Sequence, residues 1–232
     1  MTLFFAHEIK QQQLLFTEEE RHHAVKTLRY REGDSIYATD GKGTLWEAII
    51  STVKSNDFSA SISKILKKEE EAPRLKLYIA LPKNPERFEW FLEKSTEIGI
   101  GTIVPIITHR SEKFFSKKER WTKILVSAMK QSGRLFLPIL QPEQKFNACL
   151  SIKHGNAFIA HCLDNIPKTP LLSVSNTSVD TSIFIGPEGD FTPDEIQEPL
   201  KNKFTSISLG NARLRTETAG VVACTLWNFT HP

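Results

Sequence analysis

The chain has 232 residues, 40% of them hydrophobic and 25% charged, with a formal net charge of +3. That composition belongs to an ordinary globular protein with room for one large domain or two smaller ones. No apolar run approaches the ~18 residues a membrane-spanning helix needs, and the opening MTLFFAHEIK lacks the basic flank and long apolar stretch of a secretory signal.

The first third reads mostly as β-structure. TEEERHHAVKTL opens a short helix, with Thr17 as N-cap and Glu20 three residues on to close a capping box. DSIYATDGKGTLWEAIISTV predicts two strands around the turn Asp40-Gly41-Lys42-Gly43, where glycine supplies the positive φ of a tight hairpin. FSASISKIL alternates polar and apolar residues, as a half-buried strand does. These short strands make either a small barrel or a curled sheet. The best boundary is KKEEEAPR, Lys67 to Arg74, which is charged and ends in a proline. Two domains are expected, 1–71 and 72–232.

Beyond the boundary strands and helices alternate. RLKLYIAL is a strand. In PERFEWFLEKSTEIG, Phe88, Phe91, Leu92, Ser95 and Ile98 share one helical face. TIVPIIT is a strand, and in KKERWTKILVSAMKQSG the residues Trp121, Ile124, Leu125 and Ala128 form the apolar stripe, leaving the basic residues outward. AFIAHC and SIFI are strands. TPDEIQEPL begins a helix with Thr192 as N-cap, Pro193 first and Glu195 closing the box. SISL is a strand, and TETAGVVACTLWNF a final apolar helix. Such alternation argues for a largely parallel sheet with helices on both faces.

Charge is unevenly distributed. From Thr108 to Arg134 there are eight Lys or Arg against two Glu, and RHHAVKTLRYR at 21–31 has four Lys or Arg and no acid. From Glu143 to Leu200 three Lys face eight acids. The bland reading is a set of solvated helix faces; the sharper one is a polyanion such as RNA bound on one side. Cys149, Cys162 and Cys224 are widely spaced, with no C-x-x-C. They are expected as buried apolar residues or free thiols in a reducing compartment, in keeping with a cytoplasmic location. No metal site is expected.

Two strand ends stand out. IGPEGDFT and SLGNARLRTET each begin with glycine directly after an apolar strand, and in open α/β sheets ligands sit beyond the carboxyl ends of the strands. Glycine admits a close approach of ligand to backbone. The second loop sets Arg213, Arg215 and Glu217 at alternate positions. Each is also compatible with an ordinary turn or N-cap; together they suggest a ligand site. The residues themselves name no ligand, because the P-loop, the dinucleotide fingerprint and the nucleophile elbow are all missing.

IGPEGDFTPDEI followed by SLGNARLRTETA closely resembles the ribosomal RNA small-subunit methyltransferase E family of the SPOUT superfamily. PERFEWFLEKSTEIGIGTIVPIITHRS is similar to that family's first helix and second strand, ERWTKILVSAMKQSGR to its basic helix, and HAVKTLRYREGDSIYATDGKG to its PUA-like RNA-binding barrel. The resemblance spans nearly the whole chain. It implies an α/β fold, a trefoil-knotted SPOUT domain with a parallel sheet after a PUA-like β-barrel, acting as a homodimer. It also implies transfer of a methyl group from S-adenosyl-L-methionine to N3 of a uridine in 16S rRNA of the small ribosomal subunit.

By that resemblance the cofactor-binding residues are His161, Cys162 and Leu163, then Ile185, Gly186, Pro187, Glu188 and Gly189, then Leu209, Gly210, Leu214, Arg215 and Thr216. Arg215 and Glu217 are the catalytic candidates. Arg215 would stabilise a developing uracil anion. Glu217 would take the proton or hold Arg215, unless it is only a first-turn carboxylate favoured by the helix dipole. RNA would be held by Arg21, Lys26, Arg29 and Arg31 of the barrel and by Arg110, Lys113 and Arg134 of the helix patch. The chain departs from the family at Asp190, where a glycine is usual, and at Arg213, where an aliphatic residue is usual; Arg213 would face RNA or pair with Asp190. The rivals are a SPOUT methyltransferase with another RNA target and a non-catalytic RNA-binding or assembly factor.

Overall fold

A computed structural model describes the protein over residues 2–54, 57–71, 74–111, 117–174 and 180–230. Its contacts divide it into two compact units: Met1–Ala72 with Val126–Leu137, and Pro73–Leu125 with Pro138–Pro232. Among the described residues no helix is long and apolar enough to cross a membrane.

The first unit is a closed barrel of five strands: β1 (Leu3–Lys10), β2 (Gln13–Phe16), β3 (Ser35–Thr39), β4 (Thr44–Lys54) and β5 (Asp57–Lys68), in the order β1-β2-β5-β4-β3. The turn between β1 and β2 holds Gln11 and Gln12 at φ 46° and 69°, the sense of turn that suits the right-handed twist of an antiparallel pair. Closure comes from the parallel pairing of β1 with β3. Trp46, Ala48 and Ile50 point inward at the period of two, against Phe4, Leu14, Phe16, Ile36 and Phe58. Three register shifts between β4 and β5 bend these long strands, as bulges do in barrels.

The helix α1 (Glu18–His22) lies between β2 and β3, and continues as one π-helical turn, His23–Thr27. Thr17 caps it by accepting from the Glu20 N–H at 3.4 Å. The expected capping box is only half present. The Glu20 carboxylate accepts from Lys130 Nζ at 2.5 Å, so Lys130 is not one of the outward cations either. Gly43 explains why residues near 136 belong to this unit. A Cβ there would come within 2.5 Å of both the Glu69 carbonyl oxygen and the Phe136 ring. With no side chain, Gly43 donates to the Leu135 carbonyl at 2.9 Å, and Gly41 accepts from the Leu137 N–H at 2.8 Å.

The second unit is a parallel sheet with helices. In chain order it contains β6 (Leu75–Ala80), α2 (Pro85–Ile98), β7 (Thr102–Ile107), α3 (Lys118–Ser132, whose second half groups with the barrel), β8 (Ile139–Leu140), β9 (Gln144–Lys145), α4 (Phe146–Leu150), β10 (Asn156–Ala160), β11 (Thr169–Pro170), β12 (Thr181–Ile185), α5 (Pro193–Lys201), β13 (Thr205–Ser208) and α6 (Thr216–Thr230). The strands run β11-β13-β10-β12-β6-β7-β8, with β9 beside β7, and every pairing is parallel. β12 is buried throughout, which is why TSIFI reads as a continuous apolar run rather than an alternating one. Helix α2 starts with Asn84 accepting from the Glu86 N–H and ends at Gly99 with φ 105°. Its buried face is Phe88, Phe91, Leu92, Ser95 and Thr96, while Ile98, next to the Gly99 cap, is half-buried. The capping box of α5 is complete.

His154 lies among the rings of Tyr78, Phe184 and Phe204. Its Nε2–H donates to the Cys149 carbonyl at 2.9 Å, which leaves Nδ1 to accept from the Ser182 hydroxyl at 3.0 Å. Burial pushes its pKa below the ordinary histidine value. The unfolded chain therefore binds more protons near the histidine range, so this contribution to stability is present above about pH 6.5 and is lost as pH falls through the folded pKa. Denaturant midpoints at pH 7.5 and 5.5 should fall less on acidification in His154→Gln than in the parent. An equal fall in both proteins would remove His154 from the account. Burial likewise pushes the Cys149 thiol up to about 11 and raises that of Cys224, as expected of buried, unreactive cysteines; Cys162 is exposed.

Candidate cofactor pocket and catalytic cavity

β13, β10 and β12 are neighbours and parallel, so their carboxyl ends leave the sheet at one edge. The three following loops converge there. They enclose a cavity of about 380 Å³ lined by Ala160, His161, Cys162, Asp164 and Lys168 from the first, Ile185 to Glu188 with Asp190 from the second, and Ile207 to Leu214 with Thr216 and Ala219 from the third.

His161 is buried, and its ring orders the first loop. Nδ1 accepts from the Leu163 N–H at 3.2 Å, so the proton is on Nε2, which donates to Ser206 Oγ at 2.7 Å. Burial, then Lys168, push its pKa down and Asp190 pushes it up; the net direction is down. Lys168 donates to the Leu163 carbonyl at 2.8 Å. Leu163 itself packs on the apolar core rather than lining the cavity.

The second loop is stiffened by side chains on both sides. A Cβ at Gly186 would meet the Phe191 ring at 3.0 Å, so this glycine admits a neighbouring side chain. Its carbonyl accepts from the Thr216 hydroxyl at 2.9 Å, which ties α6 to the loop. Gly189 is outside the lining; it packs on Arg110, whose guanidinium donates to the Gly189 carbonyl. Asp190 adopts the left-handed conformation, φ 63°, which Asp tolerates better than most residues. Its carboxylate accepts from the Cys162 N–H and the Phe191 N–H, both at 2.8 Å, and so joins the first loop to the second. Arg213 makes no ion pair with Asp190 among the described residues; it lines the cavity. Gly210, at φ 128°, has nothing within 4 Å of a would-be Cβ, and this is the glycine that leaves the wall open.

Arg215 and Glu217 face elsewhere. With Asn84, Glu86, Arg87, Trp90 and Thr218 they line a second cavity of about 340 Å³. The two cavities adjoin along one stretch of chain, since Leu214 and Thr216 line the first while Arg215 and Glu217 line the second. Glu217 is buried at 6% exposure. Its Oε1 is 3.7 Å from Arg87 Nε, and its Oε2 has no hydrogen-bond partner among the described residues. Glu217 therefore does not hold Arg215, which is exposed. Arg87 also lies 4.0 Å from Glu188, whose Oε1 accepts from the Lys83 N–H at 3.0 Å.

Of the basic candidates, Lys26, Arg29 and Arg31 are exposed on the barrel unit, while Arg21 pairs with Glu18. Arg134 groups with the barrel, not with Arg110, because its segment pairs with Gly41 and Gly43. Lys113 lies outside the described residues. Asp164, Lys168, Asn211 and the second cavity were not read from sequence. One signal for the cavity was present: Trp90 is a large aromatic off the apolar face of α2, and it is 42% exposed.

The sequence model of an RNA methyltransferase domain matches residues 69–228, and that of an RNA methyltransferase PUA domain matches 16–63. The ribosomal RNA small subunit methyltransferase E of Bacillus subtilis is 32% identical, over 89% of this chain and 86% of the relative. The chain belongs to the ribosomal RNA small-subunit methyltransferase E family. The crystal structure of the family's member from Neisseria gonorrhoeae bound to S-adenosyl methionine is 28% identical, covers 98% of each chain and superposes with a TM-score of 0.84. The probable rRNA-methyltransferase of Porphyromonas gingivalis is 34% identical over 99% of each chain, with a TM-score of 0.88. The barrel is accordingly a PUA-like domain and the parallel sheet a SPOUT methyltransferase domain.

The residues around the first cavity fit S-adenosylmethionine. Asp164, Glu188 and Asp190 complement a sulfonium and an ammonium, Lys168 and Arg213 a carboxylate, and Ile185, Ile207, Leu209 and Leu214 an apolar ring face.

Proposed function

We propose that this protein methylates N3 of a uridine in 16S rRNA of the small ribosomal subunit, working in the cytoplasm as a homodimer. The observation that supports the reading best is the adjacency of two unlike cavities, one polar on both signs of charge, the other carrying an exposed arginine and a buried carboxylate with one free oxygen. The chain divides by role, with 1–71 a PUA-like RNA-binding barrel and 72–232, knotted as a trefoil, carrying the chemistry and a second set of RNA contacts.

S-adenosylmethionine, when bound, supplies an already activated methyl group, so no protein nucleophile is needed. His161, Cys162, Ile185 to Glu188, Leu209, Gly210, Leu214 and Thr216 hold it, chiefly through backbone that Asp190 and Thr216 keep in place. The remaining task is to align donor and acceptor and to make uracil N3 nucleophilic. The Glu217 carboxylate accepts the N3 proton, which frees the N3 lone pair. The Arg215 guanidinium stabilises the negative charge that spreads onto the uracil carbonyl oxygens; it cannot act as base. Arg87, 3.7 Å from Oε1, is a positioning residue that holds the carboxylate in the cavity. Lys26, Arg29, Arg31, Arg110, Lys113 and Arg134, with Arg21 when released from Glu18, contact phosphates, so affinity falls with salt.

The test supplies purified protein, labelled S-adenosylmethionine and unmethylated small subunits, followed by mass spectrometry of the digested RNA. N3-methyluridine is the expected product. Arg215→Ala should lower the rate by about 10²–10³, the loss of one preorganised donor, with S-adenosylmethionine affinity kept. A different methylated nucleoside, or an Arg215→Ala enzyme at parental rate, would refute the assignment.

A further inference from the structure

The second cavity has features that methyl-donor binding does not use. Its floor is a carboxylate more than nine-tenths buried, with Oε2 unpartnered among the described residues. A buried acceptor left without a donor is costly, and such atoms are normally satisfied by something that binds. Its side is the indole of Trp90, at 42% exposure. The other three tryptophans, Trp46, Trp121 and Trp227, are all at 8% or below. Its rim is Arg215, exposed and outside any ion pair among the described residues.

A flat ring, one N–H donor pointing at a buried carboxylate, and carbonyl oxygens reaching a guanidinium fork are complementary to that arrangement. Adenine and cytosine offer an acceptor nitrogen at the equivalent ring position, which would face the Glu217 carboxylate lone pair to lone pair. We propose that this cavity is the seat of the target uracil, with its ring stacked on Trp90, its N3–H donated to the Glu217 carboxylate, and a carbonyl oxygen accepting from Arg215. This rests on the reaction proposed above and adds to it Trp90, together with a reason why uracil is selected. Stacking supplies affinity that is blind to base identity; the Glu217 contact supplies the discrimination against adenine and cytosine, because a buried polar group left unpaired rejects the wrong partner strongly.

The probe is uridine 5′-monophosphate with the full-length protein. Because Trp90 is the exposed tryptophan, its emission should be quenched on titration, and Trp90→Phe should remove most of the quench. N3-methyluridine 5′-monophosphate lacks the N3–H and should bind at least about tenfold more weakly, as should uridine 5′-monophosphate to Glu217→Gln. With small subunits as substrate, Trp90→Ala should raise KM about tenfold, the loss of one aromatic stack, while calorimetric S-adenosylmethionine affinity stays unchanged. Equal binding of the two nucleotides, a quench that survives Trp90→Phe, or an unchanged KM in Trp90→Ala would each overturn the seat. So would a Trp90→Ala protein that changes its oligomeric state by light scattering without changing KM, since the indole would then contact a second copy. The reaction itself is judged separately: parental enzyme that forms N3-methyluridine while failing these tests keeps the function and loses the seat, and parental enzyme that forms none loses the function.

Discussion

Glu217→Gln should lower the single-turnover methylation rate by about 10²–10⁴, the usual contribution of a positioned acid or base, without loss of stability. Both halves follow from one geometry. Glu217 is at 6% exposure with one oxygen 3.7 Å from Arg87 and the other unpartnered among the described residues. A buried charge so thinly compensated works against folding. The amide keeps the shape, removes the charge and cannot take a proton. The expected signature is thus a large rate loss with a denaturation midpoint equal to or above the parent's. A carboxylate present only to complement the helix dipole predicts the reverse, a small stability loss and a normal rate. Rapid-quench kinetics with saturating S-adenosylmethionine, run beside urea denaturation, separates the two. A rate within threefold of the parent would remove Glu217 as the proton acceptor.

Asp190→Ala should cost about 2–4 kcal/mol of stability and most of the affinity for S-adenosylmethionine. Two terms add. A left-handed backbone costs roughly 1–2 kcal/mol for a residue such as alanine, and Asp190 stands at φ 63°. Each hydrogen bond to a charged group is worth about 1.5–3 kcal/mol, less where water reaches it, and the carboxylate accepts from the Cys162 and Phe191 N–H groups at 2.8 Å each. The substitutions should rank. Asp190→Asn keeps the backbone and part of the bonding and should bind the cofactor best. Asp190→Gly keeps the backbone alone and falls between. Calorimetric titration of the three variants gives the order directly. If the glycine variant binds as tightly as the parent, Asp190 merely fills a glycine position. If it binds tenfold more weakly, the carboxylate has become part of the pocket's architecture in this chain.

Much of the fold was legible locally. The alternation of apolar runs with amphipathic stretches identified the parallel sheet because strands buried on both faces must be apolar throughout, as TSIFI is. The helix caps at Thr192 and Asn84 are set by residues within three positions of one another, so the capping box of α5 was readable. The box at Thr17 was misread because Glu20 found Lys130, 110 residues away, a better partner than its own N-cap. Here the long-range pair holds the buried carboxylate beside an ammonium, and the local motif gives way. The basic helix was misread at Lys130 for the same reason, Arg134 groups with the barrel through the backbone pairing of its segment with Gly41 and Gly43, and the strands of two residues each, β8, β9 and β11, carry too few side chains to leave a period.

The site divides along the same line. The sequence alone determined which strand ends matter, because glycine after a buried apolar strand and a loop rich in both charges are local properties. It also carried the family's motifs in order. The tertiary structure decided which side chains face which cavity. Gly186 and Gly210 look equivalent in sequence, but one makes room for Phe191 and the other leaves the cavity wall open. Arg215 and Thr216 are adjacent, but Thr216 reaches Gly186 while Arg215, just before α6, and Glu217 open onto a cavity completed by Arg87 and Trp90. Those two residues are more than a hundred positions away in the chain. Only the packing of α2 beside α6 brings them to Glu217, and no periodicity within either segment encodes that meeting.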